Sequence, residues 1–510
     1  GGLRGAARGG ALNLAGAGYA ALAGFGVATL VARGLSPERA GVFFTATTVF
    51  VMLAVVAKLG TPTGLVYWLS RLRTEGHPEL IRRCLTVALR PMLLAASLLA
   101  VTLYLAAPWL AAVLSGAEPA TGPAGPGDSG GLAGQLRLLA LLLPLAALSD
   151  ALLAATRGFR TMRPTVLVDR LLRPSLQLLG IAAAALLAAG AAWYAAAWAA
   201  PWALTALVAW LALGRVLAPH AAASGPAPAS DPAPGLGRRF WGFTWPRGVA
   251  NVVQLALQRA DVVLVAGFLG FAPAAVYAVA TRFTVVGQFG NAAIGTATEP
   301  RLAEALTRGD DTTARQLYTY ATAWLMLVAW PLYLLVAAFA PLYLGIFGPA
   351  YATGAATAVV LLLCAAMLVA SGCGTVDTVL AMTGRTTWNL ANVSAALVVN
   401  VALNLLLLPR IGILGAGVAW AAATLTKNLL PLGQLALRRG LHPYGRATLL
   451  AAGLALGCFG VPPVLARLAL GPSLPALLAG AGAGALCYLA GLWLLRAPLR
   501  LDSLLRRETP

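Results

Sequence analysis

The chain has 510 residues, of which 60% are hydrophobic and 10% charged, and it carries a formal net charge of +20. So little polar surface cannot cover a soluble body of this size, and the apolar runs are continuous instead of alternating, which excludes a transmembrane β-barrel. The composition specifies an all-α polytopic membrane protein.

A helix crosses a hydrocarbon core about 30 Å thick with ~20 apolar residues, and runs of that kind recur from end to end. In chain order we expect fourteen spans: 11–32, 40–66, 85–107, 134–155, 165–188, 192–213, 245–268, 273–297, 317–340, 353–382, 388–408, 411–435, 447–468 and 474–495. The first six make a bundle over residues 1–213. Residues 214–240 are rich in Pro, Ala, Ser and Gly, hold no apolar run, and are expected to be a disordered linker. Spans seven to twelve make a second bundle over 241–440, and 441–510 add two helices and a tail. A Gly/Pro-rich stretch at 115–131 is expected to be a flexible loop.

The two bundles repeat one another. The stretch VARGLSPERAGVFFTATTVF (31–50) is echoed by VAGFLGFAPAAVYAVATRFT (265–284), an offset of about 234. Val42-Phe43 then fall on Val276-Tyr277, Glu75-Gly76 on Gly309-Asp310, and Ala107-Pro108 on Ala340-Pro341. A repeat of half the length marks a transporter of two fused bundles with the substrate path between them. An even number of spans per repeat preserves orientation, so the repeat is expected to be parallel, about an axis along the membrane normal.

Arginines set the orientation. The loops after even-numbered spans hold clusters such as Arg71, Arg73, Arg82 and Arg83, or Arg438, Arg439 and Arg446, whereas those after odd-numbered spans carry only Arg33, Arg39, Arg410 and Arg467. By the positive-inside rule both termini and all even loops are cytoplasmic. Anionic inner-leaflet lipid is then the partner of the basic charge, and nucleic acid is not, because the basic loops are short, separated and interleaved with spans. Cys84, Cys364, Cys373, Cys458 and Cys487 form no CxxC, His77, His220 and His442 fall in loops, and there is no GxxxxGK phosphate loop. No metal, cofactor or nucleotide hydrolysis is expected.

A charge at membrane depth is costly and faces a partner or a wet cavity. Arg259, Asp261 and Arg282 are the deepest, in spans seven and eight. They admit two readings: an Arg282–Asp261 bridge that locks the hairpin, or an arginine free to fork onto the phosphate of an anionic headgroup. The chain has only two lysines, Lys58 and Lys427. Lys427 is placed to snorkel, and Lys58, close to Gly60 and a kinking Pro62, is a cavity candidate. Asn392, Asn400 and Asn404 form a polar stripe, which serves either interhelical hydrogen bonds or sugar hydroxyls in a cavity. Asp150, Asp169, Glu299 and Asp377 lie nearer the cytoplasmic side, where local ion pairs account for them. Asp261 and Asp377 are the candidates for coupling to protons or sodium.

The stretch NVALNLLLLPRIGILGAGVAWAAA (400–423) resembles a signature of the polysaccharide and O-antigen flippases of the multidrug/oligosaccharidyl-lipid/polysaccharide exporter superfamily, through Asn400, Asn404, Pro409, Gly412, Gly415 and Ala416. QRADVVLVAGFLGFAPAAVYAVATRF (258–283) and ARGLSPERAGVFF (32–44) are similar to its helix-turn-helix elements. The resemblance covers residues 11–440 and implies two six-helix bundles around a central cavity. It further implies a flippase for a polyprenyl-pyrophosphate-linked oligosaccharide, acting as a monomer in a bacterial inner membrane by alternating access. A lipid II flippase and a drug/cation antiporter are the alternatives within the superfamily. A membrane-embedded glycosyltransferase is disfavoured, since the outer loops are too short to fix a catalytic constellation.

Overall fold

Helix is the only regular structure among the described residues, as backbone that must satisfy its own hydrogen bonds in lipid requires. The computed structural model describes residues 2–116, 131–222, 235–383 and 386–500. It opens with α1 (Gly2–Gly34), α2 (Pro37–Ala57) and α3 (Thr61–Thr74), followed by α4 (Glu79–Ser115) and α5 (Leu132–Gly158). A π-helical stretch, Thr165–Leu172, runs into α6 (Arg173–Leu186), and α7 (Ala191–Ala199) and α8 (Pro201–Ala222) follow. Next come α9 (Leu236–Leu269), α10 (Phe271–Ala280), α11 (Thr284–Thr307), α12 (Asp311–Ala338) and α13 (Ala340–Gly345). The chain continues through α14 (Gly354–Gly372), α15 (Val376–Met382), α16 (Thr386–Ile411) and α17 (Ile413–Arg439). It ends with α18 (Arg446–Ala455), a second π-helical stretch at Leu456–Gly460, α19 (Val461–Leu470) and α20 (Leu474–Leu494).

Twelve of the helical stretches among the described residues are long and apolar enough to cross a membrane. The remaining two expected spans are built differently. Span 165–188 is the π-helical stretch joined to α6, and span 273–297 is α10 and α11, broken at residues 281–283. Both π-helical stretches precede prolines, and the cause is the same: Pro174 has no N–H for the Arg170 carbonyl, and Pro462 and Pro463 have none for Cys458 and Phe459. The turn widens where the usual bond is missing.

Packing divides the chain into two units, Gly1–Ala275 and Val276–Pro510. In the first, α5 lies against α2, α3, α4 and α8, and α9 lies along α2, α3 and α4. In the second, α17 packs on α16 and α14, and α12 packs on α11, α14 and α18. The stretch 214–240 is more ordered than its composition predicts. Helix α8 continues to Ala222 and α9 begins at Leu236, so only 223–234 of it lies outside the described residues, as do 117–130 of the Gly/Pro-rich loop. The reason is apolar anchoring: Leu236 and Phe240 are buried in the core of the first unit with Leu65, Leu69 and Leu85.

Several turns follow from single residues. Ser36 accepts a hydrogen bond from the Arg39 N–H at 3.4 Å and Pro37 begins α2, where its missing N–H costs nothing. Asp310 caps α12 through the Thr313 N–H at 3.0 Å. At the Glu75-Gly76 and Gly309-Asp310 echo both halves turn through a left-handed glycine, Gly76 at φ 77° and Gly309 at φ 72°, one residue out of register. The repeat is lost at the next echo, because Ala107-Pro108 lies inside α4 whereas Ala340-Pro341 starts α13. Spans eleven and twelve, expected to end at 408 and begin at 411, turn one residue beyond that interval. Pro409 is accommodated inside α16, and Gly412, at φ 62°, makes the turn.

A charged cavity as candidate functional site

The first unit encloses a cavity of about 450 Å³ beside the break between α2 and α3. The break has a local cause. Pro62 cannot donate to the Lys58 carbonyl, which instead accepts from the Thr61 N–H at 2.8 Å, and Leu59 and Gly60 take left-handed conformations at φ 49° and 76°. A side chain on Gly60 would meet the backbone of Thr244 and Gly248 in α9. The break therefore leaves Lys58 at the end of α2, facing α5.

Six charged side chains line the cavity: Lys58, Asp150, Arg157, Asp169, Arg170 and Arg173. Lys58 Nζ lies 2.7 Å from Asp150 Oδ2, and Arg173 reaches the other oxygen of Asp150 at 3.8 Å. Arg173 also donates to Asp169 at 2.6 Å, and Arg170 Nε stands 3.4 Å from the same carboxylate. The guanidinium of Arg173 stacks 4.0 Å from the centre of the Trp202 ring. Gln177 donates to the Trp198 carbonyl at 2.8 Å, and Phe50 meets Trp198 edge-on, so the walls are aromatic. Four cations face two carboxylates, an excess of two positive charges. Arg157 lies within the field of both carboxylates but makes no ion pair as short as these, and its enclosed Nε, like that of Arg170, has no hydrogen-bond partner among the described residues. A cavity of this sign attracts an anion and repels an organic cation.

Of the residues singled out from sequence, the structure brings Lys58 into this cluster. Asp150 and Asp169, assigned to local pairing, belong to it as well. The Asp169–Arg173 pair is local, but Lys58–Asp150 joins two helices. A signal existed. Spans two and four run in the same direction, and Lys58 and Asp150 lie at nearly the same distance from their starts, so one depth holds both. The π-helical stretch, which carries Asp169 and Arg170, was not foreseeable from periodicity.

Arg259 and Asp261 sit on α9, Arg259 half-buried and Asp261 2% exposed. Arg282, half-buried, lies in the second unit at the break between α10 and α11. Asp377, in the first turn of α15, is 3.4 Å from Lys427 Nζ on α17, so Lys427 does not reach out to the interface alone. The asparagines of the stripe hydrogen-bond within α16 and to α17. Asn392 and Gln434 exchange two amide hydrogen bonds of 2.9 Å between α16 and α17. Asn400 and Asn404 are fully buried, and Asn404 donates to the Asn400 carbonyl at 2.9 Å.

The sequence family described as polysaccharide biosynthesis protein matches residues 6–306, more than half of the chain. The chain belongs to that family. The MatE family also matches, over residues 246–406, and the two together place it in the MOP superfamily. No curated protein sequence matches significantly. Among solved structures, the family member is similar to the lipid II flippase MurJ in an inward closed conformation, with a TM-score of 0.69 and 12% identity over 95% of this chain and 98% of that one. It is similar to an inward-facing multidrug resistance MATE transporter of the MOP superfamily, at 0.67 and 16%, over 82% and 94%. A MOP superfamily transporter from Pyrococcus furiosus, whose binding pocket is described as reversed in polarity, matches at 0.54 and 16%, over 85% and 96%. At these identities the likeness speaks for the fold, that of a multi-pass membrane transporter.

Proposed function

We propose that this chain is a flippase carrying a lipid-linked oligosaccharide, joined to polyprenyl pyrophosphate, from the inner to the outer leaflet by alternating access. The observation that carries the reading is the surplus of two positive charges in the cavity of the first unit, in a member of a polysaccharide biosynthesis family. A pyrophosphate is the part of such a cargo that a guanidinium recognises best. Arg157 supplies the charge without a short ion pair, and Lys58 contributes from its place beside Asp150. Arg259 and Arg282 remain candidates for the same headgroup at other stages of the cycle, while the polyprenyl tail stays in lipid. A cation antiporter fits less well, since both carboxylates of the cavity are already engaged by cations. A lipid II flippase shares the anionic head and differs in the glycan.

Ion coupling falls to Asp261 or Asp377. Release of Lys427 from Asp377 on protonation is the step that would link a proton to the second unit.

The test is transport of a fluorescent lipid-linked oligosaccharide in proteoliposomes. Arg157→Gln is expected to lower the initial rate about tenfold, the equivalent of one charge-assisted hydrogen bond, with abundance unchanged. Full transport by Arg157→Gln, Arg259→Gln and Arg282→Gln alike would overturn the reading. The orientation, with both termini cytoplasmic in a bacterial inner membrane, has its own check. A cysteine at Ser230, in a variant lacking Cys487, is expected to resist an impermeant maleimide in intact cells and to react in inverted vesicles. Ready labelling from outside would reverse the topology.

A further inference from the structure

A groove of about 530 Å³ runs between α16 and α17 in the second unit, apart from the charged cavity. Its walls are Ala391, Leu429, Leu430 and Leu437, the last 90% exposed, and the Asn392–Gln434 amide pair forms its floor. One end is polar. There the Arg438 guanidinium lies 4.3 Å from the centre of the Trp388 ring, and no carboxylate among the described residues pairs with it. The adjacent Arg439 differs, standing 3.8 Å from Asp311.

We propose that this groove binds one anionic phospholipid of the membrane, its phosphate on Arg438 and one acyl chain along the leucine wall. Three features point to that occupant. The charge at the mouth is a guanidinium over an indole ring with no carboxylate partner among the described residues, able to fork onto a phosphate. Tryptophan is the residue enriched at the level of the headgroups. The wall is apolar, with Ala391, Leu429, Leu430 and Leu437 along a groove of about 530 Å³, a lining that an acyl tail matches.

Gly433 provides a clean probe, because a Cβ there meets no atom within 4 Å and points into open space. Detergent-purified protein would be titrated with phosphatidylglycerol or phosphatidylcholine, and bound lipid counted by native mass spectrometry on monodisperse samples. Phosphatidylglycerol is expected to occupy one site about tenfold more tightly than phosphatidylcholine, the scale of a charge-assisted hydrogen bond. Arg438→Gln should erase the preference between headgroups, and Gly433→Leu should reduce binding of both lipids. Arg308→Gln, an exposed arginine paired with Glu304, serves as the control that keeps wild-type binding. Equal occupancy by the two lipids, or wild-type binding in either groove variant, overturns the proposal. So does displacement of phosphatidylglycerol by equimolar polyprenyl phosphate, which would assign the groove to the cargo. A flippase test that failed would leave this result untouched, since the readout is lipid binding and not transport.

Discussion

Lys58→Met is expected to lower stability by about 2 kcal/mol, less than the 3–5 kcal/mol of a fully buried pair, because the two side chains keep 18% and 25% of their exposure. The loss comes from Asp150, whose nearest cation would then be Arg173 at 3.8 Å, with Arg157 farther off. Asp150→Leu is expected to cost as much, since Lys58 would then have no carboxylate, whereas Arg173 still holds Asp169 at 2.6 Å. Removing both charges, in Lys58→Met/Asp150→Leu, should recover most of the stability, because an apolar pair avoids the desolvation that the ion pair must offset. Thermal unfolding of the three variants by tryptophan fluorescence measures the coupling. Additive losses would show that the pair contributes nothing as a pair. Transport adds a second readout. A double variant that is stable yet inactive assigns the pair to the cycle, and one that is stable and active assigns it to architecture.

The second large effect is expected at Gly41. In the first turns of α2, a Cβ on this residue would lie 1.8 Å from the Phe271 carbonyl oxygen and 2.4 Å from its carbon. Those are backbone atoms and cannot rotate away, so Gly41→Val must drive α2 off the turn that begins α10. The same turn is held by Glu38, whose carboxylate accepts from the Ala272 N–H at 3.1 Å, an anion at a helix N-terminus. Both contacts would be lost, and we expect a destabilisation of about 3 kcal/mol, the upper part of the range for overpacking. Gly18→Ala is the contrast: no atom lies within 4 Å of its Cβ, and relief of glycine's helix penalty should stabilise by roughly 0.5–1 kcal/mol. Equal melting temperatures for Gly41→Val and the parent protein would refute the close approach.

How far the sequence could be read depended on the range of the interaction. Spans were legible because hydropathy is local, whereas the caps at Ser36 and Asp310, which start α2 and α12 ahead of the apolar runs of spans two and nine, were not read from hydropathy. The turn at Gly412 was found to within a residue. The linker was misjudged at both ends, because composition does not reveal that Leu236 and Phe240 find a core several helices away. In the site, Lys58 stood out as a lysine in an apolar run, but its partner did not. Asp150 had arginines near it in sequence, and the nearer explanation was preferred to a contact across 92 residues. The asparagines were recognised as a stripe, yet whether an amide faces a cavity or a neighbouring helix depends on Gln434, which no periodicity in α16 encodes.

The pairing of both lysines has a consequence for anyone who handles the protein. Every side-chain primary amine in this molecule is held against a carboxylate, Lys58 by Asp150 and Lys427 by Asp377. An acylating reagent needs an amine that has shed its proton and left its partner, so ester-activated dyes and amine cross-linkers should couple poorly to the lysines of the folded chain and leave any α-amino group as the faster target. The same scarcity turns such reagents into reporters. With just two lysine side chains to modify, the acylation of each one reads out how often its own ion pair opens, one signal for each unit, without introducing a label.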